Sequence, residues 1–119
     1  MRVEEIMNTP VAVTDPSVKV AQLKDTFNRK GISAMPVLNS DGSIAGIVTS
    51  SDLTAIHNES LLTRQIMSPK VHICIRTNRV KDAAKTMVKH QVHHMVVMED
   101  GKVIGMISSM DIVKVYSEI

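Results

Sequence analysis

The chain of 119 residues is written twice. "RVEEIMNTPVAV" at 2–13 answers "LTRQIMSPKVHI" at 62–73, and "SVKVAQLKDTFNRKGISAMPVL" at 17–38 answers "TNRVKDAAKTMVKHQVHHMVVM" at 77–98. "GIVTSSDL" at 46–53 then answers "GMISSMDI" at 105–112. The offset is 60 up to the turn where "NSDG" is one residue longer than "EDG", and 59 beyond it. Self-similarity at such a period means one supersecondary unit used repeatedly, here as residues 1–59 and 60–119. A unit of about 60 residues is marginal for folding alone. The two copies are therefore expected to pack on each other with pseudo-twofold symmetry and two equivalent clefts.

Local signals agree within each copy. "PVAVT" is an apolar run of strand type, and Asp15, Pro16 and Ser17 after it offer capping chemistry and the geometry of a helix start. Val20, Leu23 and Phe27 recur at i, i+3 and i+7, and Val80, Ala83 and Met87 repeat that stripe beside Ala84 and Val88, which predicts an amphipathic helix in each copy. Gly31 is placed to end the first helix in a left-handed cap; Gln91 stands there in the second, predicting a less sharp end or local strain. Asp41-Gly42 and Asp100-Gly101 each sit between two apolar runs, a hairpin signal because both turn positions tolerate positive φ. "SSDLTAIH" and "SMDIVKVYSE" read as short closing helices. The predicted fold class is α/β of the α+β kind, each copy a small three-stranded sheet with flanking helices, the two packed sheet to sheet.

Composition excludes several functions. The chain has one Phe and one Tyr, so stacking on single-stranded bases has little to work with. Its Lys and Arg residues are scattered and form no stripe, which argues against DNA. No stretch approaches the roughly 18 to 20 unbroken apolar residues of a membrane span, and "MRVEEIMNTP" has acids where a signal peptide has its apolar core. A cytoplasmic location is expected. Cys74, the one cysteine, lies in the apolar run "VHICI" and reads as an inert core thiol. Residues 1–59 carry five Lys and Arg against seven Asp and Glu, while 60–119 carry nine against five and four of the five histidines. That asymmetry would suit an anionic ligand near the second half, and equally a solvated surface.

The repeated phrase carries the chemistry. In "TSSD" the Thr49 hydroxyl ends a strand and Asp52 lies three residues on, which makes a capping box: the hydroxyl accepts from the amide of 52 and the carboxylate from the amide of 49. The same geometry presents amides and a positive helix end to a phosphate, and a carboxylate to a ribose diol. Ser108 and Asp111 repeat the arrangement. The two uses are compatible.

In "IMNTPV" with "IMSPKV", "GISAMPV" with "QVHHMVV", the two Asp-Gly hairpins, and "GIVTSSDL" with "GMISSMDI", the chain resembles the cystathionine beta-synthase (CBS) domain family, as a tandem pair or Bateman module. The resemblance implies repeats packed through their sheets, a disc-like homodimer, and adenosine-containing ligands such as AMP, ADP, ATP or S-adenosylmethionine in the inter-repeat clefts. It assigns phosphate and ribose contacts to Thr49 and Asp52, and to Ser108 and Asp111. Around the adenine it implies Ile32, Ala34, Met35 and Pro36 in one copy and Val92 and Met95 in the other, with Val11, Val13, Val71 and Ile73 as further lining residues. Simple core packing is the competing role for these apolar positions.

The second copy is similar to the nucleotide-sensing gamma subunit of the AMP-activated protein kinase, which puts basic groups against phosphate here. His93 and His90 fall on such positions, Gln91 stands where an arginine can occur, and Ser33 is the uncharged counterpart of His93. With imidazoles as the only basic groups, affinity for multiply charged phosphates is expected to be modest and to rise below about pH 6.5, which keeps S-adenosylmethionine and methylthioadenosine open beside ATP.

His90, His93 and His94 crowd together, but 93 and 94 start a strand and point to opposite sides, with no Cys or acid beside them in sequence, so no metal site is assigned. There is no nucleophile elbow, P-loop or paired acid and base, so no catalytic residue and no catalytic cofactor is assigned either. The expectation is a regulatory module acting on a separate effector protein; a ligand-free dimerisation scaffold is the rival, and a basic nucleic-acid binder a third, remoter reading.

Overall fold

A computed structural model describes residues 1–119 and resolves them into two compact units, Ala12–Val71 and Met1–Val11 with His72–Ile119. The units are mixed α/β, each with a small sheet and flanking helices. They do not follow the repeat boundary: the opening segment of each copy belongs to the unit that holds the body of the other. The exchange also evens the charge. Ala12–Val71 has six Lys and Arg against five Asp and Glu, the other unit eight against seven, so each is +1 and the asymmetry between sequence halves has no counterpart in space.

In the unit Ala12–Val71, α1 (Val20–Lys30) buries Val20, Leu23 and Phe27, the stripe its spacing predicts. Its start differs from expectation. Asp15 Oδ1 accepts from the Ser17 amide at 2.8 Å, forming an Asx turn, and the helix begins only after Lys19, without a side-chain cap. Gly31 ends α1 at φ 61°, a left-handed cap. β1 (Ala34–Leu38) and β2 (Ile44–Thr49) pair antiparallel, with Ala34 opposite Thr49 and a register shift at Val37/Leu38. This sheet has two strands where three were expected: of "PVAVT" only Thr14 pairs, through a single parallel bridge to Val37. A core of Val20, Leu23, Phe27, Met35, Val37, Val48 and Leu53 is closed from outside the first copy by Leu61, Ile66 and Met67. Those come from around α3 (Thr63–Ile66), whose buried Thr63 hydroxyl donates to the Val18 carbonyl at 2.7 Å. α2 (Ser50–Thr54) follows β2 directly.

The second unit repeats the plan with a full sheet. β3 (Ile73–Cys74) runs parallel to β4 (His94–Glu99), and β5 (Lys102–Ser108) antiparallel to it, with His94 opposite Ser108. The β4–β5 turn uses positive φ at Asp100 (51°) and Gly101 (75°), as the hairpin signal requires. α4 (Val80–His90) buries Val80, Ala83 and Met87 and ends on Gln91 at φ 54°, so a non-glycine residue occupies the left-handed cap. α5 (Ser109–Ser117) closes the unit and buries no residue. The core of Cys74, Ala83, Met87, Met95, Val97 and Ile107 is completed by Val3, fully buried although it lies 71 positions before Cys74, the nearest of them in sequence. The segment around Val3 is tied down by its amide to the Asn78 carbonyl (2.9 Å) and by Arg76, which reaches Glu4 and Glu99 at 2.7 Å each. Burial pushes the Cys74 thiol up to about 11, in keeping with an inert core residue. No helix is long and apolar enough to cross a membrane.

The glycine in each copy of the repeated phrase has a steric cause. A Cβ on Gly46 would stand 2.6 Å from the Ser68 carbonyl oxygen, and one on Gly105 would stand 2.7 Å from Met7 Sδ and 3.1 Å from the Asn8 carbonyl oxygen. Each opening segment crosses the last strand of its unit at this point, and only a bare Cα lets the backbones approach.

Candidate functional site

Two strand-to-helix turns present the same groups. At the end of β2, Thr49 Oγ1 accepts from the Asp52 amide at 3.3 Å while Asp52 Oδ2 accepts from the Thr49 amide at 2.9 Å. At the end of β5, Ser108 Oγ accepts from the Asp111 amide at 3.1 Å and Asp111 Oδ2 from the Ser108 amide at 2.8 Å. Both predicted capping boxes are formed, and both carboxylates are half-buried. Each turn is also held by the residue just before the neighbouring strand: the Ser50 amide donates to the Ser33 carbonyl and the Ser109 amide to the His93 carbonyl, at 2.9 and 2.8 Å. A hydroxyl, a carboxylate and the start of a helix thus converge at each turn, a set able to hold a vicinal diol.

The other sequence-derived residues divide by burial. Ser33 and His93 are exposed beside their turns, with His93 Nδ1 3.4 Å from Ser109 Oγ. Val13 and Ile73, equivalent in the two copies, are 45% and 51% exposed and offer apolar surface to a partner. Met35 and Met95 belong to the two cores, and Ile32 and Val92 pack against them, so core packing accounts for these four side chains. Ala34 and Pro36 alternate with Met35 along β1 and are buried as well. Val11 and Val71 are half-buried. His90 is exposed at the end of α4, its ring centroid 4.6 Å from that of His72, whose Nε2 is buried without a hydrogen-bond partner. No three His, Cys, Asp or Glu side chains are grouped so as to hold a metal ion.

Two residues enter the site that sequence reasoning passed over. His94, considered from sequence only as a metal ligand, is half-buried, pairs across the sheet with Ser108, and so shares a face with that hydroxyl. Burial first, then the neighbouring His93, lowers its pKa below the ordinary value, against an opposing pull from Asp111. The signal was available, because His94 is the counterpart of Ala34 at the offset of 60. The second is Asn8, whose Nδ2 donates to Asp111 Oδ2 at 2.9 Å; the two are 103 positions apart, and nothing local in the sequence announces that contact.

With this geometry established, the family model for the CBS domain matches the chain twice, at residues 3–58 and 64–118. The chain belongs to the CBS domain family. A relative in Methanocaldococcus jannaschii, the uncharacterized protein MJ1426, is 26% identical, with 96% of this chain and 90% of that protein covered. The next seven curated relatives, inosine-5'-monophosphate dehydrogenases among them, are longer: the chain spans between 15% and 41% of their length. Among solved structures, the CBS domain pair of protein MJ0100, in complex with 5'-methylthioadenosine and S-adenosyl-L-methionine, superposes with a TM-score of 0.92 at 22% identity, covering 99% of this chain and 97% of that one. CBSX2 in complex with AMP gives 0.86 at 22% identity, covering 98% and 96%. At these identities the likeness is one of fold, the fold of a CBS pair.

Proposed function

We propose that this CBS pair is a regulatory module that binds an adenosine-containing ligand at its strand-to-helix turns and passes the occupied state to a separate effector protein. The observation that carries the reading is the doubled turn, in which a hydroxyl and a half-buried carboxylate are set in the same geometry by two different stretches of chain. A carboxylate takes a ribose diol through hydrogen bonds to ionised oxygen, stronger than neutral ones; Val13 and Ile73 supply apolar surface for the base. The fold neighbours with methylthioadenosine, S-adenosylmethionine and AMP support the ligand class. No catalytic role is assigned to any residue.

Thermal melting of the chain against AMP, ADP, ATP, S-adenosylmethionine and methylthioadenosine tests it. A saturable rise in Tm, reduced in Asp52→Ala and in Asp111→Ala and lost when the two are combined, is the expected result. If no ligand moves Tm in folded protein free of co-purified nucleotide, and Asp52→Ala costs only the about 0.5–2 kcal/mol of a lost cap, the reading fails.

A homodimerisation scaffold is the second reading, favoured by α5. This helix leaves Met110, Val113 and Tyr116 at 68%, 56% and 76% exposure, an apolar stripe at i, i+3 and i+6. Dimerisation lost in Val113→Glu, with no ligand effect on Tm, would leave the scaffold alone.

A further inference from the structure

We infer that the two turns are unequal acceptors for a ribosyl diol, and that Asn8 makes them so; this rests on the adenosine reading above. The two copies bring the same backbone to the same place. Asn8 exchanges both its amide and carbonyl with Met106, at 2.8 and 3.1 Å, and Ser68 does the same with Ile47, at 2.9 Å each way. Only the side chains differ. The Asn8 amide reaches Asp111 Oδ2 at 2.9 Å, and because an ionised carboxylate only accepts, the amide nitrogen must be the atom facing it. The shorter Ser68 side chain instead accepts from the Lys70 amide at 3.4 Å and makes no bond to Asp52.

The consequence follows from counting lone pairs. Each carboxylate oxygen offers about two acceptor sites. Asp111 Oδ2 already takes the Ser108 amide at 2.8 Å and Asn8 Nδ2, so it is saturated. Asp52 Oδ2 takes the Thr49 amide alone at 2.9 Å and keeps a site. A vicinal diol binds a carboxylate best with one hydroxyl on each oxygen. At Asp52 both oxygens can take part; at Asp111 only Oδ1 can, unless Asn8 is displaced. A cis-diol ligand therefore fills the Asp52 turn first, and Asn8 grades the second site below it.

The experiment is calorimetric titration with AMP. In an Asp52→Ala background, which leaves the Asp111 turn, adding Asn8→Ser installs the residue the other copy uses, and AMP affinity is expected to rise roughly tenfold, the worth of one hydrogen bond to a charged group. Asn8→Ala serves as the second variant and should act alike. In the reciprocal case, Ser68→Asn in an Asp111→Ala background should weaken AMP by a similar factor. Titration with 2'-deoxy-AMP separates the diol from packing: the gain from Asn8→Ser should vanish, because one hydroxyl is missing. AMP binding that Asn8→Ser and Asn8→Ala leave unmoved or weaken, or a gain equally present with 2'-deoxy-AMP, overturns the inference while the adenosine reading stands. No AMP binding by wild type or any variant overturns this inference, while the Tm series with all five ligands decides the adenosine reading separately.

Discussion

His94 ties the candidate site to stability through a single proton. Its ring is half-buried across from Ser108, and burial, then His93, disfavours the charged form while Asp111 favours it, leaving the folded-state pKa below the ordinary 6.5. A histidine lowered on folding contributes its full stability above the unfolded value and loses it as pH falls through that value towards the folded one, because the unfolded chain takes up the proton first. Melting temperature should therefore drop between pH 7.5 and pH 5.5. His94→Ala, which installs the counterpart residue Ala34, should flatten that drop; an unchanged slope in the variant would assign the pH dependence to other groups. The residue-level reading from sequence reached Thr49, Asp52, Ser108 and Asp111, since a capping box is a local pattern. It did not reach Asn8 or the burial of His94, which depend on what the fold lays beside them.

At the scale of elements, hydrophobic periodicity foretold both long helices and the turn chemistry foretold both hairpins, because those signals act over a few residues. Two elements departed from it. Asp15 and Ser17 were expected to open α1, but their side chains bond each other and the backbone in an Asx turn, so the helix starts later, after Lys19. "PVAVT" was expected to be a strand, yet it contributes one bridge at Thr14. The ends of the long helices contain a further contrast. Gly31 and Gln91 hold nearly the same left-handed conformation, φ 61° and 54°, but only glycine does so without steric cost. Gln91→Gly should raise stability by about 1 kcal/mol, and Gly31→Ala should lower it by a similar amount, both readable in chemical denaturation. If Gln91→Gly is neutral or destabilising, the glutamine side chain makes a compensating contact worth as much as the strain.

At the scale of the whole chain, a repeat in sequence does not say which opening segment folds onto which body. The copies present nearly interchangeable partners, Val3 against Thr63 and Met7 against Met67, and either assignment satisfies the same pattern. The fold chooses the exchanged one: Val3 is fully buried among Cys74, Ala83 and Met87, and Met67 packs with the core of Val20, Leu23 and Phe27. A fragment cut at the repeat boundary, 1–59, therefore lacks the segment that crosses β2 at Gly46 and closes its core, and leaves Val3 without one. A fragment cut as 12–71 keeps that segment together with the core it closes. Burying one aliphatic side chain is worth about 1.5–3 kcal/mol, and about 60 residues leave little margin, so the loss of Leu61, Ile66 and Met67 together should be decisive. Circular dichroism should show a cooperative melt for 12–71 and none for 1–59. A cooperative melt in both peptides would mean that each repeat can close its core with its own opening segment, and that the exchange is one of two arrangements of similar free energy.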